Sequence, residues 1–294
     1  MKKTKKLLTA ILLVTSVWLA KAQTSCPTTS CSAPVCEYVC NGGFNSYSGL
    51  PTTFSQATLA CGWSQVFTNT LIPQDRADYY HSSASIASFS IPCNQEGYEN
   101  FNFDDGYVGL VGKPLANASP AAKAAIQTTL TNTLVPGNYE ITFYLSLADE
   151  YQYNYKNSFG VEFPGFNDFP GSLSIWYIDP TAPTTSVTTN GWTKFTINYT
   201  SVLGGEASLR IGFMPVTTNI SVTNSVVAGN TPSACVAPPA TGINQNTSYY
   251  FLDNFSIRQV SGLNVSASQT SACAGENFTL TANGADTYTW MPGN

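Results

Sequence analysis

Tyr151-Gln152-Tyr153-Asn154-Tyr155 is the segment of this 294-residue chain whose residue types offer the most chemistry. In an extended strand its three rings fall on one face and its two amides on the other. Flat aromatic faces stack on sugar rings, and fixed amide dipoles grip hydroxyls. Trp176-Tyr177, Phe166, Phe169 and Asp149 lie on nearby segments and extend the set of candidate ligand contacts. The same rings would also suit the inside or the rim of a β-sandwich, because strands favour Tyr and Trp in any case. Trp63 and Trp192 are read as core residues.

Catalytic sets are poorly represented. The chain has one histidine, His81, and no Gly-x-Ser-x-Gly elbow to serve a Ser/His/Asp site. His-Glu-x-x-His is absent, which excludes a zincin. Glu96/Glu99, Asp104-Asp105 and Asp149-Glu150 are close carboxylate pairs in sequence. A glycosidase needs two carboxyls about 5–10 Å apart across a cleft, and Asp104-Asp105-Gly106 reads better as a turn. The expectation is a non-enzyme.

The elements around these residues belong to an exported protein. Lys2, Lys3, Lys5 and Lys6 precede an apolar run, Leu7 to Ala20, and Ala20-Lys21-Ala22 resembles a cleavage site. Residues 1–22 are read as a signal peptide, too short to span a bilayer. No later segment is apolar enough for membrane insertion. The leader takes five of the 12 basic residues and none of the 17 acidic ones, leaving seven against 17, a net charge of −10. Such a surface repels nucleic acid. All eight cysteines follow the leader, so disulfides are the default. Cys26, Cys31, Cys36 and Cys40 crowd residues 23–40, a Cys-rich leader segment, without the Cys-x2-Cys spacing or the histidine that zinc would favour.

Residues 41–260 read as one β-rich domain. Strands are expected over 86–91, 107–111, 138–147, 158–163, 173–178, 192–200, 206–214 and 249–258, from alternation of polar and apolar side chains. A short helix is expected from Ser119 through Gln127, with Ser119 as cap, Pro120 at the first position and an alanine run behind it. The fold class is all-β, a jelly-roll sandwich with one short helix. Residues 263–294 read as three short strands, too few for the roughly seven of an Ig-like sandwich, and so as the start of a further domain.

Several segments, in order, resemble the carbohydrate-binding jelly rolls related to the galactose-binding-like fold. They are Asn41-Gly42-Gly43-Phe44, Gly62-Trp63, Leu134 to Phe143 with its Pro136-Gly137-Asn138-Tyr139 turn, Trp192 to Phe195, and Tyr250-Phe251-Leu252-Asp253-Asn254-Phe255-Ser256-Ile257. Gly106-Tyr107-Val108-Gly109-Leu110 and Leu145-Ser146-Leu147-Ala148-Asp149 resemble a variant in large secreted proteins of gliding Gram-negative bacteria. There the module precedes Ig-like or PKD-like repeats, which Cys273 to Trp290 resembles. Asn45 departs from the Glu usual after Phe44. The resemblance implies a structural calcium joining the first strand to the last, with Asp253 as carboxylate and Asn41 and Glu37 as further oxygen donors. It also implies a secreted, non-catalytic module at the outer cell surface, with a polysaccharide, a cell-surface glycan or other surface proteins as partner. Two other roles remain open: a structural spacer or adhesin segment without sugar specificity, and the targeting module of a downstream hydrolase.

Overall fold

The computed structural model describes residues 37–66, 77–112, 124–149, 153–155, 159–164, 175–177, 187, 191–213, 222–224, 235, 248–260, 264–268, 277 and 279–283. Its strands in chain order are β1 (Trp63–Val66), β2 (Ala77–His81), β3 (Cys93–Asn94), β4 (Gly97–Tyr98), β5 (Gly106–Gly112), β6 (Ala125–Thr129), β7 (Gly137–Leu147) and β8 (Tyr153–Tyr155). They continue as β9 (Phe159–Glu162), β10 (Ile175–Tyr177), β11 (Thr193–Ser201), β12 (Ser208–Phe213), β13 (Val222–Asn224), β14 (Ser248–Gln259), β15 (Asn264–Ala267) and β16 (Leu280–Asn283).

Two five-stranded antiparallel sheets form the jelly-roll sandwich, in the orders β11-β7-β14-β5-β2 and β1-β6-β12-β9-β10. The alternation that marked Gly137–Leu147 is what lets β7 sit between β11 and β14, burying Tyr139, Ile141, Phe143 and Leu145 on one face. Phe143 stacks on Phe195 at 5.5 Å and on Phe255 at 5.8 Å. Trp63 of the facing sheet meets Phe255 edge-on, and Phe159 and Phe213 close on Tyr250. Rings therefore fill the space between the layers, as offset or edge-on pairs prefer.

The alanine run is not the helix its propensity suggests. Ala125, Ile126 and Gln127 lie in β6, paired with both β1 and β12, and residues 113–123 lie outside the described set. Ile126, fully buried beside Ile211, shows why: a central strand position outweighs a propensity difference below about 1 kcal/mol per residue. The strand expected over 86–91 is instead a 3-10 turn, Ala87–Phe89, with its flanks.

One β-bulge shapes the last strand. Asp253 pairs with Tyr144, but Ser256 pairs with Thr142, so one extra residue is inserted. Asn254 takes it up at φ 49°, a conformation asparagine tolerates. The bulge turns Asp253 outward beside Tyr144 and still delivers Phe255 to the core.

The β11-β7-β14-β5-β2 sheet is covered on both faces over part of its width. Asp78, Tyr80, Tyr107, Ser146, Tyr249, Phe251 and Asp253 lie on its outer side and are buried. Above them runs the segment from Ser82 to Asp105, with the 3-10 turn and the β3–β4 hairpin. Phe89 packs on Tyr80, and Asn94 donates to the Tyr107 hydroxyl at 2.9 Å. Cys93 is joined to Cys235, 142 residues away, and Cys40 and Cys61 are also disulfide-bonded. Among the described residues no helix is long and apolar enough to cross a membrane.

Candidate functional site

The strap over this sheet is held by carboxylates. Asp149 accepts the Tyr98 amide at 2.8 Å, and Gly97 at φ +146° makes room for it. Glu99 accepts the Ser146 hydroxyl and, at 3.2 Å, the Gly191 amide. Asp253 accepts the Asn102 amide at 3.1 Å and the Asn254 amide at 2.6 Å, and also takes the Phe103 amide. The Tyr107 hydroxyl donates to the Glu99 carbonyl at 3.0 Å, and the Trp192 indole donates to the Asn100 carbonyl at 2.7 Å.

Pinned in this way, the strap turns two rings to solvent. Phe101 is 44% exposed and Phe103 is 61% exposed. Phe103 meets the half-buried ring of Tyr144 edge-on at 5.5 Å, and Trp192, also half-buried, lies 5.6 Å from Tyr107. Asn100, on the strap, is exposed, and Lys194 is exposed directly opposite Tyr144 across the β11–β7 pair. The result is an exposed aromatic ridge along the outer edge of the strap, where Phe103 meets Tyr144 of β7. Trp63 is the core residue the sequence suggests; Trp192 is half-buried, its ring packed against the core at Tyr107 while its indole holds the strap at Asn100.

Residues 99–104, Glu-Asn-Phe-Asn-Phe-Asp, carry the same ring–amide alternation as the tyrosine segment. From the sequence only its neighbour, Asp104-Asp105-Gly106, is assigned, as a turn, and Asn100 to Phe103 are given no role. Of the candidates named from the sequence, Tyr151, Phe166 and Phe169 lie outside the described residues. Tyr153 and Tyr155 lie on β8, which pairs with β13, and Trp176 and Tyr177 lie on β10, the edge strand beside β9. Asp149 is buried and serves the strap.

Burial is the main cause that shifts the carboxyls here. It raises Glu99 above the ordinary range, the Ser146 and Gly191 hydrogen bonds oppose the rise, and the charge of Asp149 adds to it. It pushes Asp253 up to about 8 against three amide hydrogen bonds, with Asp104 adding to the rise. An acid whose folded pKa is raised stabilises the fold below its ordinary pKa, and that contribution is lost as pH rises through the folded value. Stability should therefore decline as pH climbs above about 4.5. Glu99→Gln should flatten the part of that decline due to Glu99, read as melting temperature against pH. Parallel curves for the two proteins would contradict the assignment.

The calcium donors inferred from the resemblance divide. Glu37 spends its oxygens on the Val39 and Ile257 amides, the Ser256 hydroxyl and Arg258. The Asn41 side-chain oxygen accepts the Ser46 amide, and its carbonyl accepts the Trp63 indole at 2.8 Å. Neither fits a calcium shell. Asp253 fits better, since its carboxylate has further lone pairs and Asp104 is near enough to raise it. Among the described residues no three His, Cys, Asp or Glu side chains converge as a metal group.

Comparison with known proteins adds likeness without a family. No family model matches the chain, and no curated protein matches it. Among solved structures it is similar to the K1 cleaved adhesin domain of Lys-gingipain from Porphyromonas gingivalis, at 11% identity and TM-score 0.35, over 74% of this chain and 95% of that one. It is similar to the CBM22-1 xylan-binding domain of Paenibacillus barcinonensis Xyn10C, at 16% identity and TM-score 0.34, over 74% of this chain and 92% of that one. It is also similar to the enzymatically active domain of tailspike protein 4 of bacteriophage CBA120, at 13% identity and TM-score 0.36, over 78% of this chain and 22% of that one. Binding modules and an enzyme domain stand side by side at these levels, so the site itself must carry the functional argument.

His81 is buried in β2, its Nδ1 accepts the Ser83 amide at 3.1 Å, and its ring lies 4.6 Å from Tyr47.

Proposed function

We propose that this chain is a non-catalytic extracellular recognition module that binds neutral glycans along the ridge formed by Phe101, Phe103, Tyr144 and Trp192. The observation that supports this most is the exposure of Phe103 on a backbone that Asp253 and Glu99 hold in place. Leaving such a ring in water forgoes its burial energy, and pinning it beforehand lowers the ordering cost of binding. Stacking would supply affinity, and Asn100 and Lys194 would contact hydroxyls. The disulfides support an oxidising, extracellular setting.

The chain's negative charge disfavours uronate-rich polymers. Affinity electrophoresis against soluble neutral and anionic polysaccharides should retard the protein on at least one neutral polymer and on no anionic one at low salt. Retardation by none of them would favour the spacer reading.

A structural calcium is proposed at Asp253 and Asp104, completed by main-chain carbonyls, as a staple for the strap. Chelator should then lower the melting temperature, and calcium should restore it. An unchanged melt would remove calcium from this account.

A further inference from the structure

The two five-stranded sheets end in four edge strands, and three of these are short or covered. β1 and β10 run for four and three residues. β2 is buried along its whole length, and its border is occupied. The Ser55 amide donates to Asp78 at 2.7 Å, and the Gln65 side-chain amide donates to the Ala77 carbonyl at 2.6 Å. β11 differs. It runs for nine residues, pairs with β7 without a bulge, and holds no proline and one charged residue, Lys194. Bulges, prolines, charges and cover are the devices that blunt an edge strand, and here a single lysine stands in for all of them.

The ladder fixes which main-chain groups this edge presents. The Val260 amide donates to the Asn138 carbonyl, and the Ala148 amide donates to the Tyr249 carbonyl. Asn138 and Ala148 therefore turn their main-chain groups toward β14. Hydrogen-bonded and non-hydrogen-bonded pairs alternate along an antiparallel ladder, so Glu140, Thr142 and Tyr144 turn the same way. Opposite these residues on β11 stand Thr200, Asn198, Thr196 and Lys194. Those four direct their amides and carbonyls away from β7, and among the described residues nothing pairs with that row. Their side chains are exposed, whereas Phe195 and Tyr199 between them face the core.

We propose that β11 is a dimer interface, on which the same strand of a second copy of this chain pairs antiparallel and joins the two sheets edge to edge. A row of free amides and carbonyls is completed by another extended strand, and this row is complementary to itself. Pairing about a two-fold axis at Ile197 overlaps the whole strand. It sets Lys194 opposite the partner's Thr200 and Thr196 opposite the partner's Asn198. With their symmetry mates these make four pairs, each exchanging two hydrogen bonds. No like charges meet. Exposed Val202, just past one end of the strand, comes opposite the partner's Trp192, half-buried just before the other. The inference does not depend on glycan binding.

Sedimentation of the full chain tests the pairing. The wild-type protein should dimerise at micromolar concentrations. Thr196→Lys combined with Asn198→Lys would bring like charges face to face at two pairs and should raise the dimer dissociation constant at least about tenfold. Thr196→Glu combined with Asn198→Lys would set opposite charges at the same pairs and should hold the dimer at least as tightly as the wild type. Both sites are exposed, so the circular dichroism spectrum should not change in either variant. If the first variant fails to fold, Asn198→Pro gives the same readout, since it removes an amide that the monomer leaves unpaired and an edge strand tolerates proline. A wild type that stays monomeric throughout would overturn the proposal. So would a dimer with one dissociation constant in all three proteins, because its interface would lie elsewhere.

Discussion

Gly42→Ala should destabilise the jelly roll by about 3 kcal/mol or more, an overpacking cost at the upper end of its usual range. The added Cβ would overlap the Phe255 carbonyl oxygen and lie 2.8 Å from its carbon. That is backbone, directly after the bulge, and the Phe255 amide already donates to the Gly42 carbonyl at 2.9 Å. The loop cannot retreat either. Asn41 holds it through bonds to the Ser46 and Cys61 carbonyls at 2.8 and 3.0 Å, and Phe44, at φ 55°, is wedged against Trp63. At about 2–4 °C per kcal/mol for a domain of this size, the melting temperature should fall by roughly 6–12 °C. Gly43→Ala is the control. Its Cβ would also overlap an atom, but that atom is the end of the Asp104 side chain, which can swing away. It should cost under about 1 kcal/mol and should blunt the proposed calcium response. Equal losses in the two variants would show that the bulge is not the constraint.

The same contrast explains what the sequence could and could not reveal. β7 was legible because its apolar residues alternate along Gly137–Leu147, and β14 because a continuous aromatic and apolar run, Tyr249 to Leu252, leads into an alternating second half. β5 was legible too, though all seven of its residues are buried, because glycine and branched residues suit a strand with cover on both faces. β2 is buried on both faces as well, yet Ala-Asp-Tyr-Tyr-His carries no alternation to detect. β6 was misread because its alanines speak for a helix, and only the flanking strands decide otherwise. Asp253 was noticed for its place in a resemblance. Its work here, catching the amides of Asn102 and Phe103, depends on a segment about 150 residues earlier, which no local pattern reveals. The ridge was missed for a related reason. Whether an Asn-Phe-Asn-Phe run turns its rings inward or outward is fixed by the carboxylates beneath it, and those come from the turn after β7 (Asp149), from β14 (Asp253) and from the strap itself (Glu99).

Removing Phe103 and Tyr144 together should lower affinity for the bound polysaccharide by about 100-fold, read by isothermal titration calorimetry. Each ring is assigned about 1.5 kcal/mol of the contact, within the range of interface anchors, and 1.4 kcal/mol is tenfold in affinity. Since the rings touch each other at 5.5 Å, the double variant should depart from the sum of the single ones, and the cycle would measure their coupling. Phe103→Ala should barely move the melting temperature, because that ring is mostly in water. Tyr144→Ala should cost somewhat more, its ring being half-buried. Asp253→Asn tests the support beneath the ridge. It keeps the shape but gives up one carboxylate oxygen as acceptor, so the Asn102–Phe103 backbone should loosen, and affinity should drop although no ligand contact is removed. Tyr153→Ala with Tyr155→Ala is the decisive comparison. If that pair abolishes binding while the ridge variants bind normally, the tyrosine segment is the platform and the ridge is only the outer edge of a strap. If the ridge variants lose binding and the tyrosine pair does not, recognition lies along the outer edge of the strap over the β11-β7-β14-β5-β2 sheet, where carboxylates beneath it hold the exposed rings in place.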